Sequence, residues 1–391
     1  MKKLFRFLAV TMASLILLSS TAAAIGSENS YANGPDTTVA ETASTESDAT
    51  ELVAAEDETE TPQLVVYSEN CPSAAEAYAV NHYETFLYAS IESGAFSVGQ
   101  SVSLGTPFTI ASPQSDTDVY YFPIISDEIV VATFRVYLDE TEQEYTGIMS
   151  AYLAAELNEL SSATTNETPA MLFMDNGNLM VRIGEESTLL LPSPLDPDTS
   201  ELLYTNEMTA FTQNTNTVAV LDRTATVHEL VVPFSTSKYL NLSIIETQGA
   251  NNWCGAYSTA IILRYLMGSS SSPTAQGLME LAYRRPTSQD TFGIDNTLSV
   301  SRLYGYYPRF EYNPINAIAE IDADKPVYVY SKITTGDLYH AYVIRGYNMS
   351  GNVYYIWNPW NSFYETMDMH TNKYVANSTY TFHWEGSVFD W

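Results

Sequence analysis

Glu246-Thr247-Gln248-Gly249-Ala250-Asn251-Asn252-Trp253-Cys254-Gly255-Ala256-Tyr257-Ser258-Thr259-Ala260-Ile261-Ile262-Leu263-Arg264-Tyr265-Leu266-Met267 changes character half-way along. Up to Asn252 it is polar and rich in Gly and Asn, the composition of a turn. From Cys254 onward it is apolar on nearly every side of a helical projection, broken only by Ser258, Thr259 and Arg264. A helix apolar all round is a buried one. Gly268, four serines and Pro273 then stop it. The expectation is a buried central helix over Cys254–Met267 that begins on a cysteine.

Downstream, β-branched and aromatic runs predict strands at Val327–Ser331, His340–Tyr347 and Val353–Trp357, with Asn348–Asn352 as a hairpin turn, and Tyr374–Trp384 closing the set. One helix followed by strands gives an α+β domain over 231–391. Upstream, order begins near Leu64. Ala74–Ser90 has helical spacing. Ser101–Ala111, Val119–Ile124 and Ile129–Leu138 read as strands, Gly147–Leu160 as a helix, and Ala170–Phe173, Leu179–Ile183 and Thr188–Leu191 as strands again. This is a second, smaller α+β unit over 63–195, closed by Pro192, Pro194 and Pro197. Residues 196–230 are a Thr- and Asn-rich connector.

Charge divides the chain in the same place. The net formal charge is −31; residues 25–230 carry −31 and residues 231–391 only −3, with +3 in the first 24. All five tryptophans follow residue 250. Such an acidic chain is no partner for nucleic acid or anionic lipid. Lys2, Lys3 and Arg6, the apolar Leu8–Leu18 and Ala22-Ala23-Ala24 make residues 1–24 a Sec-type signal peptide, so the mature chain is expected to be secreted, off the membrane and monomeric. Residues 25–62 are Ser, Thr, Ala, Glu and Asp, too polar to offset their ordering entropy, and read as an acidic disordered linker. Two cysteines exclude a disulfide framework and a cysteine-rich zinc site. His82, His228, His370 and His383 show no ligand spacing and read as structural or surface residues; no metal or cofactor is implied. Cys71 reads as an incidental thiol.

A cysteine nucleophile needs a stabilised thiolate, a base, a group that fixes the base's tautomer, and donors for the oxyanion. Cys254 stands in the first turn of the buried helix. His340 opens a strand, Asn358 follows the next strand across the hairpin, and Gln248 sits six residues before Cys254 in a turn. Each residue also has an ordinary reading: a buried inert thiol, a satisfied strand histidine, a turn residue before Pro359, a loop amide.

Glu246–Cys254, together with Tyr339-His340-Ala341-Tyr342-Val343-Ile344 and Ile356-Trp357-Asn358-Pro359-Trp360, resembles the staphopain family of papain-like cysteine peptidases over about residues 235–391. The resemblance implies a two-lobe fold, a helical lobe carrying Cys254 and a sheet lobe carrying His340 and Asn358. It implies hydrolysis of protein or peptide substrates with Cys254 as nucleophile, His340 as base, Asn358 orienting it and Gln248 in the oxyanion hole. Trp360 would shield the His–Asn pair, and Trp253, Gly255 and Tyr339 would lie at the substrate cleft. The departures from the family pattern, Asn252, Gly255-Ala256 and Tyr339, fall at that cleft. Residues 63–195 would be a prodomain acting as an intramolecular inhibitor of a zymogen, with processing in the connector near Asp222–Tyr239. Two other classes remain open: a transglutaminase-like acyl transferase, and an extracellular binding or adhesion protein with an inactive papain-like domain.

Overall fold

The computed structural model describes residues 64–99, 101–112, 117–195, 217–220, 228–229, 236–334 and 336–391. The signal peptide, the acidic linker and most of the connector, including the processing window up to residue 235 apart from the backbone of His228–Glu229, lie outside the described residues, as does the side chain of His228.

The helix that opens on Cys254 spans Cys254–Met267, as its composition requires. Gly268 ends it in the left-handed region at φ 63°, where its N–H and that of Ser269 satisfy the carbonyls of Tyr265 and Arg264. Residues Ala256, Ala260, Ile261, Ile262 and Leu263 are fully buried against the strand Tyr339–Asn348 and the helices Ala275–Ala282 and Ile294–Leu303. Those two helices, and a third over Ala317–Asp322, were not read from the sequence; they are short, and their polar faces hide the apolar period.

The fold is α+β, dominated by a large antiparallel sheet of fourteen strands, with a separate five-stranded sheet formed by N-terminal segments. The C-terminal part of the large sheet is built as expected: Val327–Ile333 and Val353–Trp357 flank Tyr339–Asn348 on either side. Tyr374–Trp384 is not one strand. It divides into Lys373–Val375 and Thr381–Phe389, which pair with each other across Ala376–Tyr380.

The N-terminal part of the same sheet contains Val119–Ser126, Ile129–Asp139 and Glu144–Ser150. Gly147–Leu160 is therefore not a helix throughout: its first residues complete a strand, and only Ala154–Leu160 is helical. Apolar residues face both sides of that strand because both are covered, which erases the alternation that would have marked it. Ser101–Ala111 likewise breaks, at Gly105-Thr106-Pro107, into Ser101–Leu104 and Phe108–Thr109.

The two parts meet edge to edge. Glu144–Ser150 pairs antiparallel with Glu365–Asp368, Glu365 opposite Ser150 and Met367 opposite Ile148. The helix Ser73–Glu92 lies across this seam, and its Ala75, Ala79, Phe86 and Leu87 share a core with Phe134, Val353 and Tyr355. Polar groups follow: Tyr78 donates to Asp368 at 3.0 Å, and Glu92 accepts from Asn348 and Tyr355 at 2.9 and 3.0 Å. Contact between the parts is thus apolar, and it is also a backbone ladder with buried polar pairs.

Candidate active site

Cys254 is the first residue of its helix, with Trp253 at the cap, so its sulfur faces the unsatisfied N–H groups of the first turn. Gly255 lets this end approach closely: a Cβ there would lie 2.0 Å from the Phe292 carbonyl oxygen. Trp253 is anchored by its indole N–H, which donates to the Thr287 carbonyl at 2.8 Å.

The turn carrying Gln248 is fixed from both ends. Glu246 accepts from Arg264 at 2.6 Å, and the Gln248 N–H donates to the Pro359 carbonyl at 2.8 Å. Arg264, which broke the apolar pattern of the helix, is 1% exposed and demands this carboxylate. That demand was the available signal for Glu246. Gln248 is buried, and its amide nitrogen donates to the Asn251 carbonyl at 2.5 Å.

His340 is the second residue of its strand, after Tyr339, and is buried. Its Nε2 lies 2.9 Å from Asn358 Oδ1, a pairing made because Asn358 directly follows the adjacent strand. Asn358 Oδ1 also accepts the Trp360 backbone N–H at 3.1 Å. The Trp360 ring lies over His340 with centroids 4.2 Å apart, and Phe382 covers the imidazole at 4.9 Å. Tyr339 is the exposed neighbour, stacked on Tyr330 at 5.0 Å.

A cavity of about 360 Å³ brings Cys254, His340, Gln248, Asn252 and Tyr339 onto one wall. Asn358 and Trp360 line an adjoining cavity of about 550 Å³ that shares Gln248. The four residues assigned catalytic roles from the sequence, Gln248, Cys254, His340 and Asn358, all line one or other of these two cavities. A residue from elsewhere also does. Leu195, at the end of the N-terminal part, is buried and lines the first cavity beside Cys254, while Pro192, Ser193 and Pro194 line the second.

The sequence leads one to expect a thiol pKa well below 8.5. The structure gives the reverse: burial pushes the Cys254 thiol up to about 11, against the lowering effect of backbone hydrogen bonds from Ala341 and Gly255. Burial also pulls His340 down to about 4, opposed by its bond to Asn358. Burial disfavours thiolate and imidazolium alike, and so favours the neutral form of both groups.

The remaining candidates stay outside the cleft. Cys71 and Cys254 are both free thiols, and burial raises Cys71 to about 11. His82 is exposed and stacks on Tyr78, and His370 pairs with Asp368 at 3.0 Å. Among the described residues no group of three or more His, Cys, Asp or Glu could hold a metal, and no helix is long and apolar enough to cross a membrane.

Residues 239–386 match the Peptidase_C39 like family. The chain is also similar to an extracellular cysteine protease of Staphylococcus epidermidis, 22% identical over 84% of this chain and 89% of that protein. Staphopain A of Staphylococcus aureus is 23% identical over 74% of this chain and 80% of its own length. Matches of that extent run past the Peptidase_C39 like segment into the N-terminal part, where no motif had been legible. The staphopain resemblance of the cysteine, histidine and asparagine motifs stands.

Proposed function

We propose that the chain is a secreted cysteine endopeptidase made as a zymogen, with the papain-like division into a helical and a sheet lobe. One observation carries this reading: Cys254 at a helix start, the His340–Asn358 pair and the Gln248 amide converge on one cleft. The extracellular cysteine protease of Staphylococcus epidermidis, to which the chain is similar, supports this reaction class and export.

In the mechanism, His340 Nδ1 takes the Cys254 proton and the thiolate attacks the scissile carbonyl carbon. The Gln248 amide and the Cys254 backbone N–H stabilise the oxyanion, and His340 returns the proton to the leaving amine. Water, activated by His340, then releases the acyl group. Asn358 holds the imidazole in the tautomer that leaves Nδ1 toward sulfur. Trp360 excludes water from the His340–Asn358 bond.

Residues 63–195 are the inhibitory prodomain of this proposal. Its support is Leu195, which lines the cavity that holds Cys254 and His340, and the shared sheet that joins the two parts. Ser237–Tyr239 pairs with Gly346–Asn348 as part of the sheet, so processing belongs upstream of Thr236.

The test is labelling with a thiol-reactive peptidyl electrophile, followed by product analysis on a peptide with and without an added primary amine. Labelling at Cys254 with free acid as the product in both cases supports the peptidase. Amide product with the amine indicates an acyl transferase, and no labelling indicates an inactive binding domain.

A further inference from the structure

Asn358 has a second partner besides His340. Its Nδ2 donates to the Tyr374 hydroxyl at 2.7 Å, and that hydroxyl donates its own proton to Glu365 Oε2 at 2.5 Å. Glu365 Oε1 is paired with Arg135, which reaches across the seam from the N-terminal part. All four side chains are essentially inaccessible: Arg135, Glu365 and Tyr374 are 0% exposed and Asn358 is 1%. The hydrogen-bonded line therefore runs from Arg135 through Glu365, Tyr374 and Asn358 to His340 Nε2.

The direction of each bond follows from what each group can do. A carboxylate only accepts, so the single Tyr374 proton is committed to Glu365. The hydroxyl oxygen can then only accept from Asn358, which turns Nδ2 toward Tyr374 and Oδ1 toward His340. The Trp360 N–H, which donates to the same Oδ1, requires the same orientation. With Oδ1 facing it, His340 carries its proton on Nε2, and Nδ1 is left bare toward the cleft. Arg135 makes the carboxylate the obligate starting point, since a guanidinium stays charged and offers no acceptor. It is itself held by the carbonyls of Val375 and Ala376, the two residues that follow Tyr374.

We propose that Tyr374 and Glu365 are positioning residues that set the tautomer of His340 through Asn358, with Arg135 of the N-terminal part holding Glu365 in the acceptor state while the two parts are joined. The proposal rests on the peptidase reading for its activity arm and on the structure alone for its spectroscopic arm.

The spectroscopic arm uses the full-length chain carrying Cys254→Ala, labelled with ¹⁵N at its five histidines and with His340 assigned by His340→Gln. At neutral pH His340 should show one neutral tautomer, protonated on Nε2. Adding Tyr374→Phe, which keeps the ring that packs on Tyr342, should shift a measurable fraction to the Nδ1-protonated form. The activity arm compares wild type and Tyr374→Phe on casein. The kcat should fall by about tenfold to a hundredfold with KM within about twofold, because geometry rather than substrate contact is lost. If Tyr374→Phe does not fold, the double variant Arg135→Met/Glu365→Gln removes the obligate acceptor without leaving a lone buried charge, and the same shifts are expected. An unaltered tautomer, or wild-type kcat, in a folded variant overturns the inference. A wild type that fails to cleave casein sinks the peptidase reading instead, and the tautomer result is then read by itself.

Discussion

The cleft and the seam hold charge in opposite ways: the seam pair Arg135 and Glu365 is 0% exposed, whereas at the cleft Cys254 is only partly buried beside a buried His340. At the cleft, His340 meets the Asn358 amide and the rings of Trp360 and Phe382, all uncharged, and burial takes the proton off the imidazole and keeps it on the Cys254 sulfur. At the seam, Arg135 and Glu365 lie at 0% exposure and stay an ion pair, because each has the other and Arg135 also has two carbonyls and the Ser150 hydroxyl. Burial alone thus does not decide ionisation; the supply of a counter-charge does. In functional terms, burial at the cleft favours the neutral thiol and the neutral imidazole over the thiolate–imidazolium pair. The seam keeps its charges as long as it is closed.

The largest expected effect breaks the seam. Arg135→Met leaves the buried Glu365 without a counter-charge, with only the Tyr374 hydroxyl bonded to it, and should destabilise the full-length chain by about 3–5 kcal/mol. Arg135→Met/Glu365→Gln should recover most of that loss. Urea midpoints of the two variants measure the difference, and equal midpoints would mean that the pair is solvated rather than buried.

Next in size is the oxyanion donor. Gln248→Ala should lower kcat by about 10²–10³, and Gln248→Glu by at least as much. Steady-state kinetics on casein reads this, and a wild-type kcat in both variants would place the oxyanion elsewhere.

The third prediction concerns charge at the cleft. His340 titrates near 6.5 when unfolded and near 4 when folded. Between those values the unfolded chain binds more protons, so stability falls as pH drops from about 6.5 to about 4 and levels off below, by about 3 kcal/mol at most. Full-length Cys254→Ala should show this decline, and adding His340→Gln should remove that part of it. A decline of the same size in both would show that His340 is charged in the folded chain.

The smallest effect is the control for the seam side. Cys71 lies in the N-terminal part, so Cys71→Ala should leave kcat unchanged. A clear loss would tie the two cysteines together functionally.

The sequence was legible where chemistry and local pattern coincide. Cys254–Met267 and Val353–Trp357 have the bounds read for them, and the four residues Gln248, Cys254, His340 and Asn358 are brought to one cleft and its adjoining cavity. What was not legible depends on distant pairing. Glu365–Asp368 is four residues with no marked alternation, a strand because Glu144–Ser150 and Val353–Trp357 lie on either side of it. Tyr374 and Glu365 carry no spacing rule relative to Asn358, and Arg135 is 230 residues from Glu365. Leu195 sat among prolines and acids that read as the end of a domain, and nothing local marked it for the cleft. The direction of the thiol pKa is illegible for the same reason: the sequence shows the helix start, whereas the burial that raises the pKa comes from distant segments.

The most direct test of the account is to incubate purified full-length chain with an unfolded protein and follow new N-termini by mass spectrometry, beside Cys254→Ala. The account predicts that the wild type first cuts itself between residues 196 and 235 and then releases peptides from the added protein, and that Cys254→Ala does neither. Peptide release by Cys254→Ala at the wild-type rate would contradict the nucleophile, and a never-processed chain fully active on the added protein would contradict the covered cleft.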